Sequence, residues 1–546
     1  MTRLRWWLHG IAVVASCWWF LASPASAAQL YLPDSPDVPT ITLNEAQSGA
    51  AGLSPLPVPP PKGWDQQSIW NMRIVGIQDN QGRPSSDDGW IENQNGRYIA
   101  YVANSPGKGL NPLTGKVENN GTTLIDVTDV AHPRLLSHIP TESGGGATHL
   151  AVCGGNTLPH AERNHWYLLR HHGQTNQEVW DVTNPEAPRR LTVIISGLTG
   201  THHDWWECDT GIAYTISQTA ADGWHETGSH QHVYIYDLSN PAQPVFIRQF
   251  GLPGQQPDAT GAASQSCLNA PGPACYEGVT NPPGGVHQLY SAGVRKNRIY
   301  AAYGVDADGV FQVLDRQKLL TGCTIPGASP QCATHPTQAD LLYPQISYIT
   351  TNPNQGGHTA IPIFGVPIPE AQQNYLDGKP QRWDLMATTS EDTTNNCISQ
   401  AWKNPSLLDI TDDRAPWPIA TLAVGQFPGD FCAKGSRFGV HEVNRQIYAP
   451  YYGRLLFVAM FNAGLQVWDI RSPYQPRRVA YFIQAPNKNT HESCGTYHGN
   501  QHYCRKATFS DLGEVDDRGY IYNFDRAGSG LTILKLTGEA AAVAKQ

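Results

Sequence analysis

The chain has 546 residues, among them 52 Gly, 42 Pro, 16 Trp and 23 Tyr, and a formal net charge of −9. Acidic and basic residues are interspersed, which leaves no basic footprint and excludes nucleic acid as a partner. Gly and Pro spread among aromatic and β-branched residues describe many short strands joined by turns, so an all-β architecture is expected, although length alone does not settle the number of domains.

The chain opens with Arg3 and Arg5, an apolar stretch from Trp6 to Leu21, and the small-residue run Ala25, Ser26, Ala27, Ala28. This order predicts a secretory signal peptide over 1–28, and hence a periplasmic or extracellular protein. Trp18–Leu21 carries the apolar region past Cys17, which argues against a lipid anchor there. The apolar core is short for a span, and nothing later approaches the roughly 18 apolar residues that a membrane helix needs. Residues 29–66 are rich in Pro, Ala and Ser and end in a proline cluster, so they read as an extended linker.

From residue 67 to about 540 a repeated unit appears, as in propellers and solenoids. The clearest copies are Thr123–Pro133, Glu178–Pro185, Val233–Pro241 and Leu465–Pro473, with looser ones at Leu407–Asp412 and Phe311–Arg316. Each is an apolar strand ending in Asp, in the clearest cases then a Ser/Thr-Asn-Pro-type turn, and then a second strand. Asp and Asn side chains satisfy turn amides and Pro pre-sets φ, so the block is a hairpin with a physical basis. Two more strands precede each block, for example Gly211–Ile216 or Arg454–Ala459, and four strands make one propeller blade. The last unit, Arg518–Asp525 with Gly530–Leu536, lacks an outer strand, while Met72–Ile77 stands ahead of the first unit without a partner. Pairing the two closes the ring and hides its open edges. The expectation is a single seven-bladed β-propeller of four-stranded antiparallel blades, closed by an N-terminal strand in the last blade.

The segments Arg97–Asn104 and Ala463–Asp469 resemble the units of the LVIVD-repeat β-propellers of exported and surface proteins. The resemblance covers most of residues 70–536 and implies the propeller fold. It implies no single activity.

Once Cys17 is removed ten cysteines remain, an even number that suits an oxidising compartment. Cys267 with Cys275, Cys323 with Cys332, and Cys494 with Cys504 are close enough to staple loops, and Cys153, Cys208, Cys397 and Cys432 could bridge blades. Spacing does not fix connectivity.

One position recurs with histidine. Just before the innermost strand of successive units stand His149, His203, His287, His358 and His441, with Asp88 near the equivalent place in the first unit and Gly513 in the last. In a propeller these positions converge on one mouth of the central channel. Imidazole is a common metal ligand, and several converging with a carboxylate suit a single Fe, Cu or Zn ion. Loops emerging on the same face add His171, His172, His225, Glu391 and Arg526 as candidate ligand-binding residues.

Two functional readings follow. One is a secreted binding propeller that holds a small molecule, polymer or surface protein at the His-rich mouth. The other is a metal-dependent enzyme, possibly an oxidoreductase, with the ring histidines as ligands. Against both stands a structural reading, in which each His hydrogen-bonds within its own blade as the Gly-His of WD repeats does. No serine-nucleophile elbow and no phosphate-cradling glycine loop is present.

Overall fold

The computed structural model describes residues 66–545 apart from 143, 220–221, 225–231, 260–284, 306–308, 352–354, 369–380, 394–402, 425–430, 432–433, 447 and 498–500. The expected signal peptide, Cys267, Cys275, Cys397, Cys432 and His225 lie outside the described residues. All described residues belong to one unit.

Seven four-stranded antiparallel blades form the ring. Blade 1 runs outward from the axis through Ser85–Gln94, Arg97–Asn104, Gly121–Asp126 and Arg134–Pro140. Blades 2 to 5 begin with inner strands Leu150–Gly154, Gly200–Trp206, Val286–Ser291 and Thr359–Pro367. In blade 6 the inner strand is irregular: His441 donates its amide to the Ala459 carbonyl and Asn444 to that of Phe457, so residues 441–444 run along Leu455–Ala459 without a regular ladder. Blade 7 consists of Ser510–Val515, Ile521–Asp525, Gly530–Leu536 and, as its outer strand, Met72–Gln78. The expected closure by the N-terminal strand is therefore present, and Ser68–Trp70 adds a further strand outside blade 6.

The recurring Asp works as the sequence implies. Asp126, Asp181, Asp237, Asp409 and Asp469 each accept, through Oδ1, the amide two residues later, which fixes the turn between the third and fourth strands. Between blades, apolar faces interlock. Ile91, Val102, Leu512 and Phe524 are packed where blade 1 meets blade 7. There a Cβ on Gly89 would lie 2.3 Å from the Phe524 ring, so only glycine lets the two blades approach near the axis.

Disulfides join Cys323 to Cys332 and Cys494 to Cys504 as local staples, while Cys153–Cys208 ties blade 2 to blade 3. Among the described residues no helix is long and apolar enough to cross a membrane.

Candidate functional site

The inner strands present one polar residue per blade at one end of the channel: Asp87, His149, His202, His287, His358, His441 and Asp511. In four blades a β-bulge aims that residue. Ser86, Asp87 and Asp88 together face a single residue of the next strand. His202 and His203 likewise share one position, His287 is extra between Val286 and Gln288, and Asp511 is extra between Ser510 and Leu512. A bulged residue has no ladder partner and turns off the strand's alternation, here toward the axis.

Successive imidazoles touch. Ring centroids are 4.9 Å apart for His149–His202, 3.9 Å for His202–His287, 4.2 Å for His287–His358 and 4.5 Å for His358–His441. The arc is closed by acids: His441 Nε2 is 3.5 Å from Asp87, its Nδ1 is 3.4 Å from Asp511, and His149 Nε2 is 3.5 Å from Asp87. Glu391, on the loop leaving the second strand of blade 5, sets Oε2 3.9 Å from His287 Nε2. Two guanidiniums complete this tier. Arg437 donates to Glu391 Oε1 at 2.7 Å, and Arg526 pairs with Asp87 and stands 3.4 Å from Asp511.

A second tier lies deeper in the channel. Arg445 grips Asp88 with both terminal nitrogens and reaches His203 Nε2 at 3.1 Å, and Gln288 donates to Glu442 at 2.8 Å while also contacting His203. These groups come from blades 1, 3, 4 and 6 and are almost fully buried, so their bonds cross the axis and plug the channel beneath the ring.

His203 and Asp88, read from sequence as ring members, thus sit in the plug. Their neighbours His202 and Asp87 take the upper positions, because each bulge brings two consecutive residues toward the axis. In blade 7 the reaching residue is Asp511, two positions before Gly513. The repeated His-His and Asp-Asp pairs were the available sequence signal, but strand alternation assigns only one residue of a pair to each face. Arg437, Arg445 and Glu442 carried no signal of their own.

The other candidates divide. Glu391 and Arg526 belong to the upper tier. His171 is fully buried and faces Asp204 at 3.1 Å, with Thr201 and Thr148 on its Nδ1. The Asp204 and Thr201 contacts run from blade 2 to the inner strand of blade 3, not within one blade as the structural reading has it. His172 accepts the Glu142 amide and lines a separate cavity of about 390 Å³ with Trp180 and Arg190. His441 likewise reaches Asp511 of the next blade and not the Trp468–Asp469 pair of its own.

Burial, reinforced by neighbouring imidazoles, holds His203 and His358 well below the usual imidazole value, so both rings are neutral at neutral pH. Burial works against charge at Asp87 too, yet Arg526, His149 and His441 keep its carboxyl well below the ordinary range. Asp511 is pushed up by burial. No hydrogen bond reaches either ring nitrogen of His149 or the Nε2 of His358 and His441. Buried imidazole lone pairs without donors are the chemistry of metal ligands.

Four groups place one ligand atom per residue within 4.8 Å of one another: Asp87/His149/His202, Asp88/His149/His203, His287/His358/Glu391 and Asp87/His441/Asp511. The Asp88 group already holds a cation, because the Arg445 guanidinium fills it. Both groups containing Asp87 share that residue with Arg526. In the remaining group Arg437 takes only Oε1 of Glu391, and the 3.9 Å between Oε2 and His287 Nε2 lets one ion bond both at roughly 2.0–2.2 Å, at an angle wider than tetrahedral.

No family model and no curated protein matches the chain. Among solved structures it is similar to one described as the structure of U3-55K, at 10% identity and TM-score 0.43 over 85% of this chain and 98% of that one. It is also similar to the RRP9 WD40 repeats, at 10% identity and TM-score 0.44 over 86% of this chain and 100% of that one.

Proposed function

We propose that this chain is an exported propeller that binds a transition-metal ion at the mouth of its channel, with His287, His358 and Glu391 as ligands. The observation that carries the reading is the convergence of one polar side chain from each blade, with ligand atoms of His287, His358 and Glu391 within 4.8 Å of one another and no hydrogen bond on the buried Nε2 of His358. Two imidazoles and one carboxylate suit Fe(II), Zn or Cu and leave coordination positions open. Bound there, the ion would supply Lewis acidity or redox chemistry, so a metal-dependent enzyme, possibly an oxidoreductase, is the activity this arrangement favours. The chain's own residues orient the ligands: Thr359 meets His358 Nδ1 at 2.7 Å and leaves Nε2 for the ion, and Arg437 anchors the far oxygen of Glu391.

The three disulfides among the described residues support passage through an oxidising compartment, as does the N-terminal sequence pattern. The Asp-terminated hairpin repeat supports grouping the chain with the LVIVD-type propellers.

Elemental analysis of protein purified without a His tag tests the metal reading. Near-stoichiometric Fe, Cu or Zn is expected, lost in His287→Ala/His358→Ala and retained in Asp88→Asn. Absence of metal after loading with each ion would overturn it.

A further inference from the structure

The metal reading leaves open what the mouth admits, and the groups that reach solvent beside the ring bear on this. Asp87, Glu391 and Asp511 are nearly or wholly buried, whereas the side chains of Arg437 and Arg526 are 20% and 23% exposed. A ligand arriving at the mouth therefore meets guanidinium before carboxylate.

Both guanidiniums are held in place and only half used. Arg437 lies 5.8 Å from the Phe461 ring and 5.7 Å from Phe509, and Arg526 lies 5.8 Å from Phe509. The two phenyl rings pack edge to face at 4.5 Å, so both arginines rest on one aromatic ledge. Among the described residues every side-chain hydrogen bond of either arginine runs through Nη1: Arg437 to Glu391, Arg526 to Asp87 and Asp511. The remaining N–H groups of each fork have no hydrogen-bond partner among the described residues. A planar fork with one edge free matches the oxygens of a carboxylate or phosphate.

Charge points the same way. The upper tier sets three carboxylates against two guanidiniums. A divalent ion on Glu391 and two neutral imidazoles leaves the mouth net positive, and it weakens the hold of Glu391 on Arg437. The low-dielectric walls of the channel strengthen the attraction for an anion.

We infer that the mouth takes a small oxyanion, a carboxylate or phosphate group, gripped by the free N–H edges of Arg437 and Arg526 beside the metal. This rests on the metal reading, since the ion supplies the positive excess.

The test is calorimetric titration of the zinc-loaded full chain with inorganic phosphate, with tetramethylammonium as the cationic control and zinc content measured in every sample. One phosphate per zinc-loaded chain is expected, with no heat from tetramethylammonium. Arg437→Gln/Arg526→Gln should keep its zinc and lose phosphate affinity by about 100-fold, the size expected for two charge-assisted hydrogen bonds. The gentler Arg437→Lys/Arg526→Lys variant keeps the charge without the fork, guards against misfolding, and should fall between. Unchanged phosphate affinity in both variants at full zinc occupancy, or no phosphate binding by the zinc-loaded chain, would overturn the inference and leave the metal site standing. If the protein takes no zinc the metal reading fails separately. Arginine-dependent phosphate binding by that metal-free protein would uphold the anion site alone, and no binding would overturn both.

Discussion

Replacing Arg445 with Met removes the cation at the centre of the channel plug. Its side chain is 1% exposed, and Asp88, its main partner, is fully buried. In the variant Asp88 keeps the Leu150 amide at 3.0 Å and His149 Nδ1 at 3.5 Å but loses both guanidinium contacts. Two unit charges about 3 Å apart at an effective dielectric of about 20 interact by about 5 kcal/mol, and breaking a buried pair by removing one partner costs about 3–5 kcal/mol. We therefore expect Arg445→Met to lose about 4 kcal/mol. Asp88→Asn/Arg445→Met removes both charges of that pair and leaves Glu514, 3.5 Å from Arg445 Nε, held by the amides of residues 445 and 446, so it should lose only about 1–2 kcal/mol and the second substitution rescues the first. Urea denaturation of chelator-treated protein, followed by tryptophan fluorescence, measures all four corners of the cycle. A double variant no more stable than Arg445→Met, or a loss below about 1 kcal/mol for Arg445→Met, would refute the assignment of the plug as a buried charge pair.

Cys153 and Cys208 are 55 residues apart, and opening a loop of that size costs about 4 kcal/mol by chain entropy against about 2.5 kcal/mol for the 9-residue loop of Cys323 and Cys332, so Cys153→Ser/Cys208→Ser should lower the denaturation midpoint more than Cys323→Ser/Cys332→Ser. Glu92, which accepts from Trp90 Nε1, has its carboxyl pushed up to about 7 by burial. Its folded value lies above its unfolded one, so the stability linked to the protonated form is complete below about pH 4.5 and is lost as pH rises through 7. Glu92→Gln should gain about 2 kcal/mol at pH 8 and nothing at pH 4, read from thermal unfolding; the figure is set below the full shift because Glu92 still reaches solvent. A Cβ on Gly76, in the closing strand, would lie 1.8 Å from the Val130 carbonyl oxygen, a backbone atom that cannot yield. Gly76→Val should cost about 2–3 kcal/mol and raise protease sensitivity near the N-terminal strand, whereas full resistance to cleavage would show that the closing strand tolerates the clash.

The ring architecture was legible because duplication writes the same physics many times. An Asp that caps a turn leaves the same trace at Asp126, Asp181, Asp237 and Asp469, and a last unit short of one strand points to Met72–Gln78 as its complement. The general location of the site was legible for the same reason. The identities of its members were less so, since a bulge overrides the two-residue period on which facing is read. Hence strand position alone points to His203, Asp88 and Gly513, while the bulges carry His202, Asp87 and Asp511 to the upper tier. His171 is polar and stands on the mouth-side end of its strand, yet it serves the seam between blades 2 and 3 through Asp204. Arg437 and Arg445, unlike Arg526, carry no mark in the sequence because a cation that spans from one blade to another has no partner nearby in the chain. Arg445 and Asp88 are 357 residues apart.

Because Arg445, Asp88, His203 and Gln288 lace together across the axis, the tunnel is a dead end. Whatever enters the mouth leaves by the same opening. A bound molecule must depart before a second can reach the ring, so exchange at this centre is one-at-a-time traffic through a single doorway, and a tight-binding product acts as its own stopper.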